Sequence, residues 1–128
     1  MGLESCKVEA IVAVTDMDKA KEFYEGKLGL PGGPEQADGG ITYRCAGGTE
    51  IHIYPSPDNA GKSGATLAAW ATEDVEGVVN ELTTKGVQFE QYDMDPIKTD
   101  ERGIADIGGD QIAWFKDPDG NILAVGSP

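Results

Sequence analysis

AWFKDPDGNILAV, residues 113–125, carries the most definite structural signal in the chain. Two apolar runs flank Asp117-Pro118-Asp119-Gly120, with proline at the second turn position and glycine at the fourth, as a type I turn favours. Trp114 to Ala124 is therefore predicted to be a β-hairpin. Working upstream, Val87–Gln91, Ile104–Ile107 and Ile112–Lys116 read as strands, with Ile122–Val125 as the last. Between them lies YDMDPIKTDERG, residues 92–103, a charged loop of the length that lids and binding edges have.

Further upstream the same order of signals occurs twice. Val8–Thr15 is rich in β-branched residues and reads as a strand; Asp16 then offers a helix N-cap. Met17, Ala20, Phe23, Tyr24 and Leu28 recur at helical spacing, and Lys27 with Gly29 marks a helix stop. In the second half Ala65–Ala71 reads as a strand and Thr72-Glu73-Asp74 as an acidic helix start. Val75, Val78, Val79 and Leu82 form the stripe, and Lys85-Gly86 the stop. Asp16 stands thirteen residues before Gly29, and Glu73 thirteen before Gly86. PGGPEQADGG (31–40) is loop material, followed by strands Ile41–Ala46 and Thr49–Tyr54 joined across Gly47-Gly48. PSPDNAGKSG (55–64) is a linker. Two copies indicate a duplicated unit rather than a solenoid. The expected organisation is one α+β domain, with module one about 5–55, a linker at 56–64 and module two at 65–128.

Composition sets limits on function. At 128 residues the chain can bury one core without disulfide or metal staples. Cys6 and Cys45 have no CxxC spacing, and Met1–Val8 lacks a basic start and apolar run, so a reducing, cytoplasmic location is expected. The net charge of −13 argues against nucleic acid, whose binders need a basic face, and against anionic membranes. It fits either attraction to a cationic ligand or simple solubility. The paired glycines do not form a GxxxxGK phosphate loop.

With these residues in place, the chain resembles the glyoxalase / bleomycin-resistance / extradiol-dioxygenase superfamily, also called vicinal oxygen chelate (VOC). The 113–125 stretch looks like its closing hairpin. VEAIVAVTDMDKAKEFYEGKLGL (8–30) looks like its first strand and helix, and VEGVVNELTTKGVQF (75–89) like its second helix and following strand. The resemblance implies paired βαβββ modules with curved mixed sheets around a central cleft, commonly in a homodimer. It also implies a divalent metal held by the first and last strands of each module. The four ligand positions it implies fall here on Glu9, His52, Leu67 (Thr66 if the register is off by one) and Ala124. Leucine and alanine cannot coordinate, and the chain has a single histidine, so no cofactor is expected; a reduced metal site is the less favoured alternative.

The remaining candidates follow from strand alternation. Glu50, His52 and Tyr54 share one face of their strand, and Ile51 and Ile53 the other. Glu9, Ile11 and Ala13 likewise share a face, so Glu9 and His52 could meet as an acid–base or ligand-orienting pair, or be structural. Tyr43, Tyr54, Trp70 and Trp114 could wall a flat or cationic ligand, or be ordinary packing. Ligand-binding candidates are thus Glu9, Tyr43, Glu50, His52, Tyr54, Trp70 and Trp114. The favoured function is metal-free binding or sequestering of a small organic molecule, such as an antibiotic or toxic metabolite. The alternative is a lyase or isomerase using a reduced metal site or a metal-free Glu9/His52 pair.

Overall fold

The computed structural model describes residues 2–128. They form two compact units, divided between Lys62 and Ser63, inside the proline- and glycine-rich stretch after Tyr54.

In the first unit β1 (Glu9–Val14) leads into α1 (Met17–Lys21). The Asp16 carboxylate caps that helix by accepting the Asp18 and Lys19 N–H groups at 2.8 and 3.3 Å. The helix continues as a π-helical segment, Glu22–Lys27, closed by the Leu28 N–H donating to the Phe23 carbonyl. The wider turn accompanies burial of two adjacent aromatics, Phe23 and Tyr24. Strands β2 (Ile41–Arg44) and β3 (Glu50–Pro55) complete a sheet ordered β1-β3-β2. The expected tight hairpin between them is a short 3₁₀ turn, Ala46–Gly48, in which Gly47 and Gly48 take φ of 66° and 77°. β1 runs parallel to β3, with Glu9 opposite Glu50 and Ile11 opposite His52; β2 runs antiparallel, with Thr42 opposite His52. Val12, Val14, Ile41, Tyr43, Ile51 and Ile53 are buried on one face, where Tyr43 stacks on Tyr24 from the helix.

In the second unit β4 (Thr66–Ala71), β7 (Ile104–Ile107), β8 (Asp110–Lys116) and β9 (Ile122–Gly126) form a sheet ordered β4-β9-β8-β7. Helix α2 (Val75–Thr84) is capped by Asp74, whose carboxylate accepts the Gly77 N–H at 3.0 Å, so the second cap lies one residue later than Glu73. The charged loop folds into a small hairpin, β5 (Asp93–Met94) with β6 (Ile97–Lys98). Val87–Gln91 is not a full strand. β7 already occupies that edge of β8 along residues 110–113, leaving only a bridge between Phe89 and Phe115.

The closing hairpin forms as read. Gly120, at φ 88°, donates its N–H to the Asp117 carbonyl, and Trp114 pairs with Ala124. Asp117 is nearly buried and organises the turn. One carboxylate oxygen accepts the Asp119 and Asn121 N–H groups at 2.9 Å each; the other accepts the buried Asn121 side-chain amide at 2.8 Å. Among the described residues no helix is long and apolar enough to cross a membrane.

Candidate functional site

Alternation along β1, β2 and β3 puts apolar residues on the helix-packed face, so the opposite face carries most of the polar side chains. It holds Glu9 and Ile11 from β1, Thr42 and Arg44 from β2, and Glu50, His52 and Tyr54 from β3. An open cleft of about 570 Å³ lies against this face, lined by Glu9, Thr42, Arg44 and Glu50 and by the loop 31–36 through Pro31, Gly32, Gly33, Pro34 and Gln36. Arg44 and Glu50 are cross-strand partners, their Nε and Oε2 atoms 3.8 Å apart at the exposed rim.

His52 sits beside these residues with both ring nitrogens engaged. Its Nδ1 is 2.8 Å from the Thr42 hydroxyl, and its Nε2 is 2.7 Å from Asp38 Oδ2. The hydrogen bond from His52 holds the Asp38 carboxyl below its usual range, assisted by the Gly40 N–H donating to Oδ1 at 2.8 Å. The loop can reach β3 because residue 40 is glycine: a Cβ there would run into the Ile53 carbonyl and lie 2.9 Å from the Tyr54 backbone. Tyr54 stacks on the imidazole with ring centroids 6.1 Å apart. Glu9 shares the face but stands opposite Glu50, two residues along from the Ile11–His52 pair. The carboxylate that meets His52 is Asp38, a loop residue, and not Glu9.

Tyr43, offered by the sequence as a ligand wall, lies on the core face at 1% exposure, its hydroxyl donating to Glu25 at 2.7 Å. Burial first, then the neighbouring Glu25 carboxylate, pushes its phenol well above the usual tyrosine range.

In the second unit Trp114, Ala124 and Ala105 form a buried cluster on the sheet face away from α2, with Tyr92, Ile97, Ile112 and Ile122 packed against it. The Trp114 indole N–H donates to the Thr66 hydroxyl at 3.2 Å, and its ring meets Tyr92 edge-on at 5.5 Å. A smaller, largely apolar hollow of about 290 Å³ is lined by Thr66, Tyr92, Met94, Ile97, Trp114 and Ile122. Trp70 faces the other way, opposite Val125 and stacked on Phe115, so it packs with the helix-side core rather than beside Trp114. Leu67 is the extra residue where the β4–β9 register shifts between Thr66 and Ala68, and it is exposed; Ala124 is fully buried.

Among the described residues no three His, Cys, Asp or Glu side chains converge as a ligand group. The imidazole spends both nitrogens on Thr42 and Asp38.

A family model described as Glyoxalase/Bleomycin resistance protein/Dioxygenase superfamily matches residues 7–125. The chain belongs to this superfamily. Its mixed sheets and helices are those of solved superfamily-like structures. TnmS3, an antibiotic binding protein from Streptomyces sp. CB03234, is 23% identical, with 95% of this chain and 94% of that one covered and a TM-score of 0.69. An integron cassette protein, HFX_CASS4, from the mobile metagenome of the Halifax Harbour sewage outfall, is 17% identical over 95% of this chain and 97% of its own, with a TM-score of 0.70. UcmS2 is 19% identical over 95% and 97%, with a TM-score of 0.73. At these identities the likeness speaks to the fold. None of the curated proteins matches the sequence.

Asp38, Thr42, Arg44 and Gln36 were not singled out in the sequence. For Thr42 and Arg44 a signal existed: they alternate with apolar Ile41 and Tyr43 and so share a face across from His52. For Asp38 and Gln36, in an aperiodic loop, there was none.

Proposed function

We propose that this superfamily member binds or sequesters a small organic molecule, an antibiotic or toxic metabolite, in the cleft of its first unit without a metal. The observation that carries this reading is the cleft floor itself. Glu9, Thr42, Arg44 and Glu50 supply polar groups, while the neighbouring imidazole is committed to Thr42 and Asp38. A few placed polar groups in a concavity of this size are what orient a small ligand. The antibiotic binding protein TnmS3 supports the ligand class, on a shared fold. A metal-free lyase or isomerase built on Glu9 and His52 is less well supported, because it needs a ring nitrogen free to move a proton. The binding protein is proposed to work as a cytoplasmic homodimer, which light scattering on the purified chain tests.

The decisive experiment is thermal unfolding of protein purified without added metal, against a panel of aromatic antibiotics, with metal analysis in parallel. A ligand at a hundred times its Kd stabilises by about 2.7 kcal/mol, a shift of several degrees. The shift is expected to shrink in Glu50→Gln and in Arg44→Ala. One equivalent of zinc or manganese retained through purification would overturn the metal-free reading. A ligand shift indifferent to both substitutions would move the site elsewhere.

A further inference from the structure

Thr42 and His52 are cross-strand partners, so their side chains lie side by side on the cleft face. The ring's other nitrogen meets the Asp38 carboxylate, whose second oxygen is occupied by the Gly40 N–H. An ionised carboxylate only accepts hydrogen bonds, so in the neutral ring Nε2 carries the proton. Nδ1 is then a lone pair, and at 2.8 Å the Thr42 hydroxyl must donate to it. The only proton on that hydroxyl is committed to the imidazole, leaving its oxygen to accept from an occupant.

Two other polar groups of the floor are acceptors only. Glu9 and Glu50 are carboxylates. Arg44 is a donor, placed at the exposed rim with its Nε 3.8 Å from Glu50, and the Gln36 amide donates to the Pro34 carbonyl at 3.4 Å.

We infer that Thr42 is a specificity-determining acceptor, and that the cleft selects small molecules presenting an amine or ammonium N–H to its Oγ1. Asp38 and His52 are positioning residues that fix the direction of the hydroxyl. This rests on the reading of the cleft as a small-molecule site and narrows its ligand class. A carbonyl or carboxylate at the same place would set lone pair against lone pair. A polar group left unpaired on binding is what gives such sites their discrimination.

The single histidine makes the first half of the test direct. In untagged protein labelled with [15N]histidine, long-range proton–nitrogen spectra at neutral pH are expected to show a protonated Nε2 and an unprotonated, hydrogen-bonded Nδ1. Asp38→Ala is expected to release that fixed tautomer. A ring protonated at Nδ1, alone or with Nε2, overturns the inference.

The second half uses two probes of one shape, 2-naphthylmethylammonium and 2-naphthoate, titrated by NMR into the wild type, Thr42→Ser and Thr42→Val. The ammonium is expected to bind at least tenfold more tightly. Thr42→Ser retains that preference. Thr42→Val, which keeps the shape and loses the hydroxyl, reduces it severalfold to what overall charge alone provides. If both probes bind and Thr42→Val leaves the preference unchanged, this inference falls and the binding reading stands. If neither probe binds any form, the small-molecule reading falls and this inference with it.

Discussion

Replacing Asp117 by alanine removes the centre of the closing hairpin. The carboxylate accepts at least three hydrogen bonds, two from backbone N–H groups and one from the Asn121 side chain, while Asp117 is 5% and Asn121 2% exposed. Each such bond contributes about 1 kcal/mol net, and Asn121 loses this buried acceptor, so Asp117→Ala is expected to cost about 3 kcal/mol. Set against a total stability of about 5–15 kcal/mol, that is a large fraction, and it lowers the melting temperature by about 10 °C. Asp117→Asn separates the contributions. Its side-chain oxygen can still accept the two backbone N–H groups, but its amide then faces the Asn121 amide donor to donor, for a cost of about 1–2 kcal/mol. Equilibrium urea unfolding followed by tryptophan fluorescence reads both, since Trp114 lies in the hairpin. An alanine variant within 0.5 kcal/mol of the wild type would refute the reasoning. So would an asparagine variant as unstable as the alanine one.

Tyr43→Phe is expected to cost about 1 kcal/mol at neutral pH through loss of the bond to Glu25, and to leave ligand binding intact because the ring lies on the core face. Because folding raises the Tyr43 pKa, its contribution is complete below the unfolded value near pH ~10 and is lost as pH rises beyond it; urea midpoints should therefore decline less steeply for Tyr43→Phe than for the wild type in that window. Gly40→Ala drives a Cβ into the Ile53 carbonyl, so it should destabilise by about 2 kcal/mol and detach Asp38 from His52, seen as loss of the fixed imidazole tautomer by NMR.

What was legible in the sequence was local. EIHIYP declares its two faces by alternation alone, and the structure keeps Ile51 and Ile53 in the core with Glu50, His52 and Tyr54 opposite. Asp117-Pro118-Asp119-Gly120 declares a turn through conformational preferences of its own four residues. What was not legible depended on competition or distant approach. Val87–Gln91 has strand composition, yet its pairing edge is taken by β7. Trp70 and Trp114 look alike in sequence, but the register shift at Leu67 breaks the alternation along β4, and Trp70 ends on the helix side. Asp38 comes to His52 through a loop without periodicity, made possible by a glycine whose need is visible only beside the Ile53 carbonyl.

The same packing logic bears on whether the second unit could accept a metal-ligating side chain by one substitution. Ala124 is opposite Trp114 on the sheet and shares a buried cluster with Ala105, the indole being bonded to Thr66. Ala124→Glu must therefore insert four further heavy atoms beyond Cβ, three of them the carboxylate, into that buried cluster. Overpacking costs about 1–3 kcal/mol, and a buried unpaired carboxylate adds several more unless it stays protonated. The expected result is a protein destabilised by about 4 kcal/mol or more that gains no zinc affinity, with calorimetric titration and urea unfolding as the readouts. Ala124→Ser, which adds one small atom able to bond locally, should cost about 1–2 kcal/mol by comparison. A glutamate variant of wild-type stability that binds zinc would show that the space beside Trp114 opens readily.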